Sequence, residues 1–322
     1  MAVLTVRPFE TRDYRAAIAI GSSVYPDHPW SEEEWRHEDA RYDGTRFTLH
    51  RLVAEDADGK LLGVAEFHHV PSMYHPNKLW VEILVHPQRQ GRGIGTRLYE
   101  ALTAAMRPFR PIVTWAGVRE TLDRGIRFAQ DRGFREVRRV WELRLDVTRF
   151  DPTPFAEKAA AAVAGFTTTT VDELRRRDPR WLPKLFDLHT AVDADVPRPD
   201  AYTPLGKDHF VQHTLEHPDY LPDAHVVLLA GDQYVGESFM LRSQQLSDVL
   251  YQGFTATTRE YRGRGLALAI KLQTIEYART HGYREIRTWN DSLNMPMLHI
   301  NAALGFARQP AWITFEQRLE EP

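Results

Sequence analysis

The chain has 322 residues, of which 43% are hydrophobic, enough for about two packed cores. Its formal net charge is only -3, so no global field favours a nucleic-acid partner. It has no cysteine, which excludes disulfides, thiolate metal sites and a cysteine nucleophile. That composition fits a cytoplasmic protein. The first residues, MAVLTVRPFETRDY, lack an apolar core of signal-peptide length, and no stretch approaches a membrane span, so no membrane partner is expected.

Residues 4–7 alternate and predict a first strand. Thr11, Arg12 and Asp13 start a helix that runs through Ile18 and Ile20 until Pro26 and Pro29 break it. Ser31 and Glu34 have the spacing of a capping box. The acidic run 32–34 either lines a cleft for a cationic amine or starts a solvated helix; the solvated start is the simpler reading. Residues 47–55 and 61–70 predict a hairpin around DADG at 56–59. Residues 79–106 organise this half. An apolar strand with Trp80, Val81, Ile83, Leu84 and Val85 leads into a Gly-rich turn, then an amphipathic helix with Leu98, Leu102, Ala105 and Met106. A strand at 111–115, a helix over 121–131 capped by Gly133 and a strand at 137–147 follow.

Asp151, Pro152 and Pro154 open a linker, 151–165, with a short Ala-rich helix over 157–164 closed by Gly165. The second half predicts a strand at 166–170, a helix over 182–190, a Pro-rich loop at 193–204 and a hairpin of 224–230 and 234–242. A second Gly-rich loop leads to a helix from about 266 to 281, a strand at 285–289, a helix over 294–304 capped by Gly305, and a strand at 311–319. Arg175, Arg176 and Arg177 read as a solvated helix end rather than an RNA site. His68 and His69 are adjacent on a strand and point to opposite faces, so they do not share a metal; they and His86 read as structural or surface histidines, and no metal is expected.

The two Gly-rich loops are copies. Residues 90–95 read QGRGIG and residues 262–267 read RGRGLA. Gly93 stands as far from the pair Gly133 and Phe134 as Gly265 stands from Gly305 and Phe306. Repetition at this scale means two copies of one domain, 1–150 and 166–322. Each loop joins a strand to a helix N-terminus, which converges backbone N–H groups into a nest for phosphate. A dinucleotide fingerprint would need Gly where Thr96 stands, and a P-loop would need a lysine that neither loop has.

The pattern that fits is Gln/Arg-x-x-Gly-x-Gly/Ala between strand and helix. On Val85, His86, Pro87, Gln90, Gly91, Arg92, Gly93, Ile94 and Gly95, and again on the second copy, the chain resembles the GCN5-related N-acetyltransferase (GNAT) superfamily in its tandem form. The resemblance implies an α/β (mixed α+β) fold of two tandem acyl-CoA N-acyltransferase domains. Each would be a mixed, centrally splayed sheet flanked by helices, with acetyl-CoA in the splay. It implies cofactor contacts at Leu84, Val85, Gln90, Gly91, Arg92, Gly93, Ile94, Gly95 and Thr96, and at Thr257, Arg262, Gly263, Arg264, Gly265, Leu266 and Ala267. The side chains of Gln90, Arg92, Arg262 and Arg264 would add phosphate contacts. The implied reaction is acetyl transfer from acetyl-CoA to a primary amine, of a small molecule or a protein, by direct attack in a ternary complex. A monomer or homodimer is expected.

An ammonium acceptor must lose a proton before it attacks. Glu82 is the single carboxylate of an apolar strand, at a place where family members often carry their base. Burial would raise its pKa toward a useful value. Phe254 stands at the matching place in the second copy. Many family members place a general-acid Tyr four residues before the Gly-Phe pair, where this chain has Ala129 and Asn301. Asn294 and Asn301 would then either hydrogen-bond the cofactor arm or cap a helix. The alternatives are a non-catalytic acyl-CoA sensor or interaction protein, and an enzyme active only in the C-terminal copy.

Overall fold

The computed structural model describes residues 4–42 and 44–319. In chain order the elements are β1 (Thr5–Pro8), α1 (Tyr14–Val24), α2 (Glu32–Asp39), β2 (Leu49–Glu55), β3 (Leu61–His68), β4 (Lys78–Val85), α3 (Ile94–Met106), β5 (Val113–Arg119), α4 (Asp123–Gln130) and β6 (Arg135–Asp146). Then come α5 (Thr153–Ala162), β7 (Thr167–Thr170), α6 (Val171–Arg177), α7 (Trp181–Asp193), α8 (Lys207–Phe210), β8 (Val226–Ala230), β9 (Gln233–Arg242), β10 (Val249–Thr257), α9 (Leu266–Thr280), β11 (Glu285–Asp291), α10 (Met295–Ala303), β12 (Ala307–Arg308) and β13 (Trp312–Arg318). The Ser31–Glu34 capping box is present, with the Ser31 side chain accepting from the Glu34 N–H. Helix α5 starts four residues earlier than its alanines suggest, because Pro154 is tolerated in a first turn, where no N–H partner is needed. No helix among the described residues is long and apolar enough to cross a membrane.

The chain forms two compact units. One comprises Met1–Arg138, Pro199–Thr203 and Trp312–Pro322; the other comprises Arg139–Arg198 and Pro204–Ala311. This division departs from boundaries at 150 and 166. The segment 139–150 belongs with the second unit, and β13, from the far end of the chain, belongs with the first. The reason is strand pairing. β13 runs antiparallel to β5 from Trp312↔Arg119 to Arg318↔Val113, and β6 runs antiparallel to β11 from Asp146↔Glu285 to Val140↔Asp291. Both strands alternate in the same way, so the sequence repeat does not reveal the exchange. The loop segment 199–203 is tied to the first unit by the Asp200–Lys78 ion pair at 2.5 Å and by the Thr203 N–H donated to the Ser72 carbonyl at 2.8 Å.

In the first unit the strand order is β1-β2-β3-β4-β5-β13. Helix α3 lays Ile94, Leu98, Leu102 and Met106 on one face, over Ala54, Phe67, Leu79, Val81, Ile313 and Phe315. Helix α1 lays Ala17 and Ile20 on the other, over Val53, Val64 and Leu84. β4 therefore alternates its buried residues between the two helices. β4 and β5 are parallel, paired from Lys78↔Val113 to Val81↔Ala116 and no further, although β4 runs to Val85 and β5 to Arg119. Beyond Val81 the two strands part.

The second unit has the order β6-β11-β10-β9-β8-β7, with β12 beside β6. Its parallel pair, β10 and β11, holds only from Val249↔Glu285 to Tyr251↔Arg287, so these strands part as well. Helix α9 covers one face with Leu266, Ile270 and Ile275, and α7 covers the other with Leu185, Leu188 and Val192.

The exchange predicts the behaviour of half-chains. Residues 1–150 lack β13 and leave the edge of β5 open; residues 166–322 lack β6. Each half alone should aggregate or show no cooperative melt, whereas fragments 1–165 and 166–322 produced together should co-purify and melt cooperatively. A separate half as stable as the whole chain, by circular dichroism and size-exclusion chromatography, would contradict this.

Candidate functional site

Where β4 and β5 part, a cavity of about 490 Å³ opens between Val81–Val85, Ala116–Val118, the first Gly-rich loop and α4. The loop has the predicted backbone. Gly91 and Gly93 have φ of 75° and 81°, in the left-handed region where a side chain is strained, and Gly93 is the N-cap of α3. Leu84, Val85, Gln90, Gly91, Gly93, Ile94, Gly95 and Thr96 all line the cavity. Arg92 is exposed and is not part of its lining. Gln90 does not reach outward: its Nε2 donates to the Val85 carbonyl at 3.1 Å and ties the loop to the end of β4.

Three further cations line the cavity: Arg124 and Arg127 of α4, and Arg132 just beyond it. A Cβ at Gly91 would stand 2.5 Å from Arg124 Nη1, so that guanidinium lies directly against the loop. The Arg132 guanidinium stacks 3.4 Å from the Phe128 ring centroid and donates to Thr96 Oγ1 at 3.1 Å. Sequence reasoning missed these residues. The signal was the Arg124/Arg127 spacing, which puts both side chains on one side of a helix that ends just before the second feature shared by the two copies, Gly133 and Phe134.

Glu82 lies in the cavity wall, on the face of the sheet that α1 covers. The register places three charged residues side by side: Arg51 on β2 opposite Glu66 on β3, and Glu66 opposite Glu82 on β4. Arg51 Nε donates to Glu66 Oε2 at 2.6 Å, and its other nitrogens donate to Asp39 at 2.8 and 3.0 Å. Arg51 thereby holds Glu66 ionised, well below the usual carboxylate range. Glu82 has no salt bridge among the described residues. Burial and then the Glu66 charge push it up to about 7, against the weaker pull of Arg51. Tyr25, at the end of α1, also lines the cavity, and its ring packs 4.8 Å from that of Trp312. Burial and then the Glu82 charge raise its pKa, so it keeps its proton. The site thus pairs a carboxyl that titrates near neutrality with a phenol that does not. Tyr25 carried no local signal, since it precedes Pro26 and reads as loop.

The second loop has the same backbone in different surroundings. Gly263 and Gly265 have φ of 73° and 78°, and Gly265 is the N-cap of α9. Arg262 Nε donates to the Thr257 carbonyl at 3.2 Å, the counterpart of the Gln90 bond, and its Nη2 pairs with Asp195 at 2.5 Å. Arg264 donates to the Glu260 carbonyl at 3.0 Å. Both arginines thus already have protein partners. Pro296, His299 and Leu304 occupy the places of Arg124, Arg127 and Arg132. Lys271 takes the place of Tyr99; it is buried beside the Phe306 ring, and burial pushes its amine down to about 7. Asn294 is a helix cap, its Oδ1 accepting from the Met297 N–H at 3.4 Å. Asn301 is fully buried; its Nδ2 donates to Asn290 Oδ1 at 2.6 Å, while its own Oδ1 has no partner among the described residues.

Comparison with known proteins agrees with this architecture. Residues 11–134 match the acetyltransferase (GNAT) family model. Mycothiol acetyltransferase of Actinosynnema mirum is 26% identical over 267 residues, covering 80% of this chain and 81% of that protein. A tandem GNAT protein from the clavulanic acid biosynthesis pathway superposes with a TM-score of 0.77 at 20% identity, covering 98% of each chain. A GCN5-related N-acetyltransferase from Sphaerobacter thermophilus gives a TM-score of 0.69 at 18% identity, covering 98% of this chain and 95% of that one. Residues 11–134 therefore belong to the GNAT acetyltransferase family, and the chain as a whole has the fold of a tandem GNAT protein.

Proposed function

We propose that the first unit transfers the acetyl group of acetyl-CoA to a primary amine, with Glu82 as the general base. The observation that carries this is Glu82 itself, a carboxyl with a pKa of about 7 in the wall of a cavity whose other end is lined by the first Gly-rich loop. The residues present fit acetyl-CoA. The loop N–H groups with Arg124, Arg127 and Arg132 suit its phosphates. The parted edges of β4 and β5 offer unpaired backbone groups to an extended arm that carries amides. The bound cofactor would supply the acyl group as a thioester. Glu82, directly or through one water, takes the proton of the ammonium acceptor, and Glu66 beside it adds negative potential that favours a cation. Tyr25 holds a proton that a departing thiolate can accept. The acceptor is an amine of a small molecule or a protein, in the cytoplasm.

Glu82→Gln keeps shape and removes proton acceptance. Turnover with a reactive amine should fall roughly a hundredfold, with acetyl-CoA affinity little changed. With an amine that only the first unit accepts, the wild-type rate should rise with pH through about 7, as Glu82 loses its proton, and the variant should lack that rise. Full activity of the variant in a thiol-release assay would overturn the assignment.

Stability should move the other way. A carboxyl whose folded pKa is raised stabilises the fold fully below its unfolded value, and that contribution is lost as pH climbs through the folded one. Glu82→Gln should therefore raise the melting temperature at pH 8 and leave it nearly unchanged at pH 4.5. Equal shifts at both pH values would argue against a raised Glu82.

Gly93→Asp places a side chain at φ 81° and a carboxylate in the nest. It and Arg124→Ala should each weaken acetyl-CoA binding by roughly tenfold or more, since charge-assisted phosphate contacts are strong. Calorimetry showing unchanged affinity in both variants would place the cofactor elsewhere.

A further inference from the structure

The second unit lacks a counterpart to the Glu66–Glu82 pair. Phe239 and Phe254 face each other across β9 and β10 at that position. The carboxylate has moved two residues along the strand, one pleat on the same face, to Glu237. Glu237 is completely buried, and both its oxygens are used: Oε1 meets His189 Nδ1 at 2.8 Å, and Oε2 meets His225 Nε2 at 3.0 Å. His225 Nδ1 in turn lies 2.7 Å from the Tyr220 hydroxyl. One arrangement of protons satisfies every contact. Tyr220 donates to His225 Nδ1, the His225 Nε2–H donates to Glu237, and the His189 Nδ1–H donates to the other carboxylate oxygen. Burial keeps His225 neutral and Tyr220 protonated, while His189 and then His225 hold the charge on Glu237 against its own burial.

Of these four residues only His189 has an appreciably exposed side chain, at 19%. Its Nε2 lies on the ring edge away from Glu237 and makes no hydrogen bond among the described residues. The ring stands 5.6 Å from that of Phe254, the residue that occupies the position of Glu82. Helix α7 thus brings an imidazole, oriented by a buried carboxylate, to the strand position where the first unit carries its base. An imidazole fixed through Nδ1 by a carboxylate presents Nε2 as a proton acceptor.

We propose that the second unit holds a second acetyl-transfer centre, in which His189, oriented by Glu237, is the base for a primary amine at the parting of β10 and β11. The proposal rests on reading the Gly-rich loops as acetyl-CoA sites. In the reaction, His189 Nε2 takes one proton from the ammonium and passes it to solvent. The amine nitrogen then bonds the acyl carbon, the carbon–sulfur bond breaks, and the proton released by the new amide goes to the thiolate sulfur. His189 is a catalytic residue in this scheme; Glu237 and His225 are positioning residues. The charged and titratable groups around His189 are Glu237 from β9, His225 ahead of β8, Asp193 on its own helix and Arg198 beyond that helix. The segment that presents Phe210 to the ring at 4.6 Å also carries His209 and His213. The Glu237 charge outweighs burial and raises the His189 pKa.

The test starts from the Glu82→Gln chain, in which the first unit is silenced. Thiol release from acetyl-CoA is followed across a panel of primary amines between pH 5.5 and 9. At least one amine should retain a rate that rises with pH through a midpoint above the ordinary histidine value. Adding His189→Gln, which can still donate to Glu237, should cut that rate roughly a hundredfold. Adding Gly265→Asp should remove it through the cofactor, which covers the case where the His189 variant does not fold. Adding Glu237→Gln should move the midpoint to lower pH, a change that lost packing alone would not produce. A residual rate indifferent to His189→Gln, or loss of every amine on Glu82→Gln alone, would overturn the second centre while leaving the first intact. A wild-type chain that releases no thiol with any amine would overturn both.

Discussion

The structure depends on a strand pair that is allowed to separate. β4 and β5 are hydrogen-bonded for four residue pairs and then diverge, so the strand after Val81 carries backbone groups without a sheet partner on that side. Unpaired backbone groups are costly when buried and useful when a ligand meets them. Everything around the opening acts at this seam. Gln90 clamps the loop to the last carbonyl of β4, α3 begins at Gly93 beside it, and α4 lays Arg124 against the loop. The small residues Ala116 and Gly117 keep the β5 side of the gap open.

The same backbone appears twice with different charge. In the first unit, Arg51, Glu66 and Glu82 stand in a row across three strands, and the single cation satisfies one carboxylate more fully than the other. The second carboxyl is left poised. In the second unit the row is replaced by two phenylalanines, and its carboxylate lies under α7 between two imidazoles. The loops differ less than their surroundings. Gln90 and Arg262 make the same bond to the strand-end carbonyl, which explains why this position accepts either side chain without pointing it at phosphate.

Much of this was legible in the sequence, and the parts that were not share one cause. The two loops, their strands and helices, and the isolation of Glu82 in an apolar strand come from local patterns: glycines at fixed spacing, period-two and period-3.6 alternation, and one carboxylate in an apolar run. What escaped was set by residues distant in the chain. The pKa of Glu82 depends on Glu66, which becomes its neighbour only through the β3–β4 register. The cations over the loop come from α4, about thirty residues on. Asp195, which engages Arg262, comes from a loop far upstream of it. The Glu237 network needs α7, β8 and β9 together, so no local pattern announces it. Likewise β6 and β13 look alike as strands, and only pairing shows which unit each completes.

The position of β13 also bears on how the chain is made. A ribosome emits residues at about 5–20 per second, and N-terminal domains generally fold as they emerge. The first unit cannot do so fully, because its sixth strand follows the whole of the second unit in the chain. Its β5 edge stays open while all of the second unit's sequence is being translated. During that interval β5 is a template for pairing with any available strand, including the β5 of a neighbouring nascent chain. The exchanged strand makes completion of the first unit a signal that the second unit's sequence has been read.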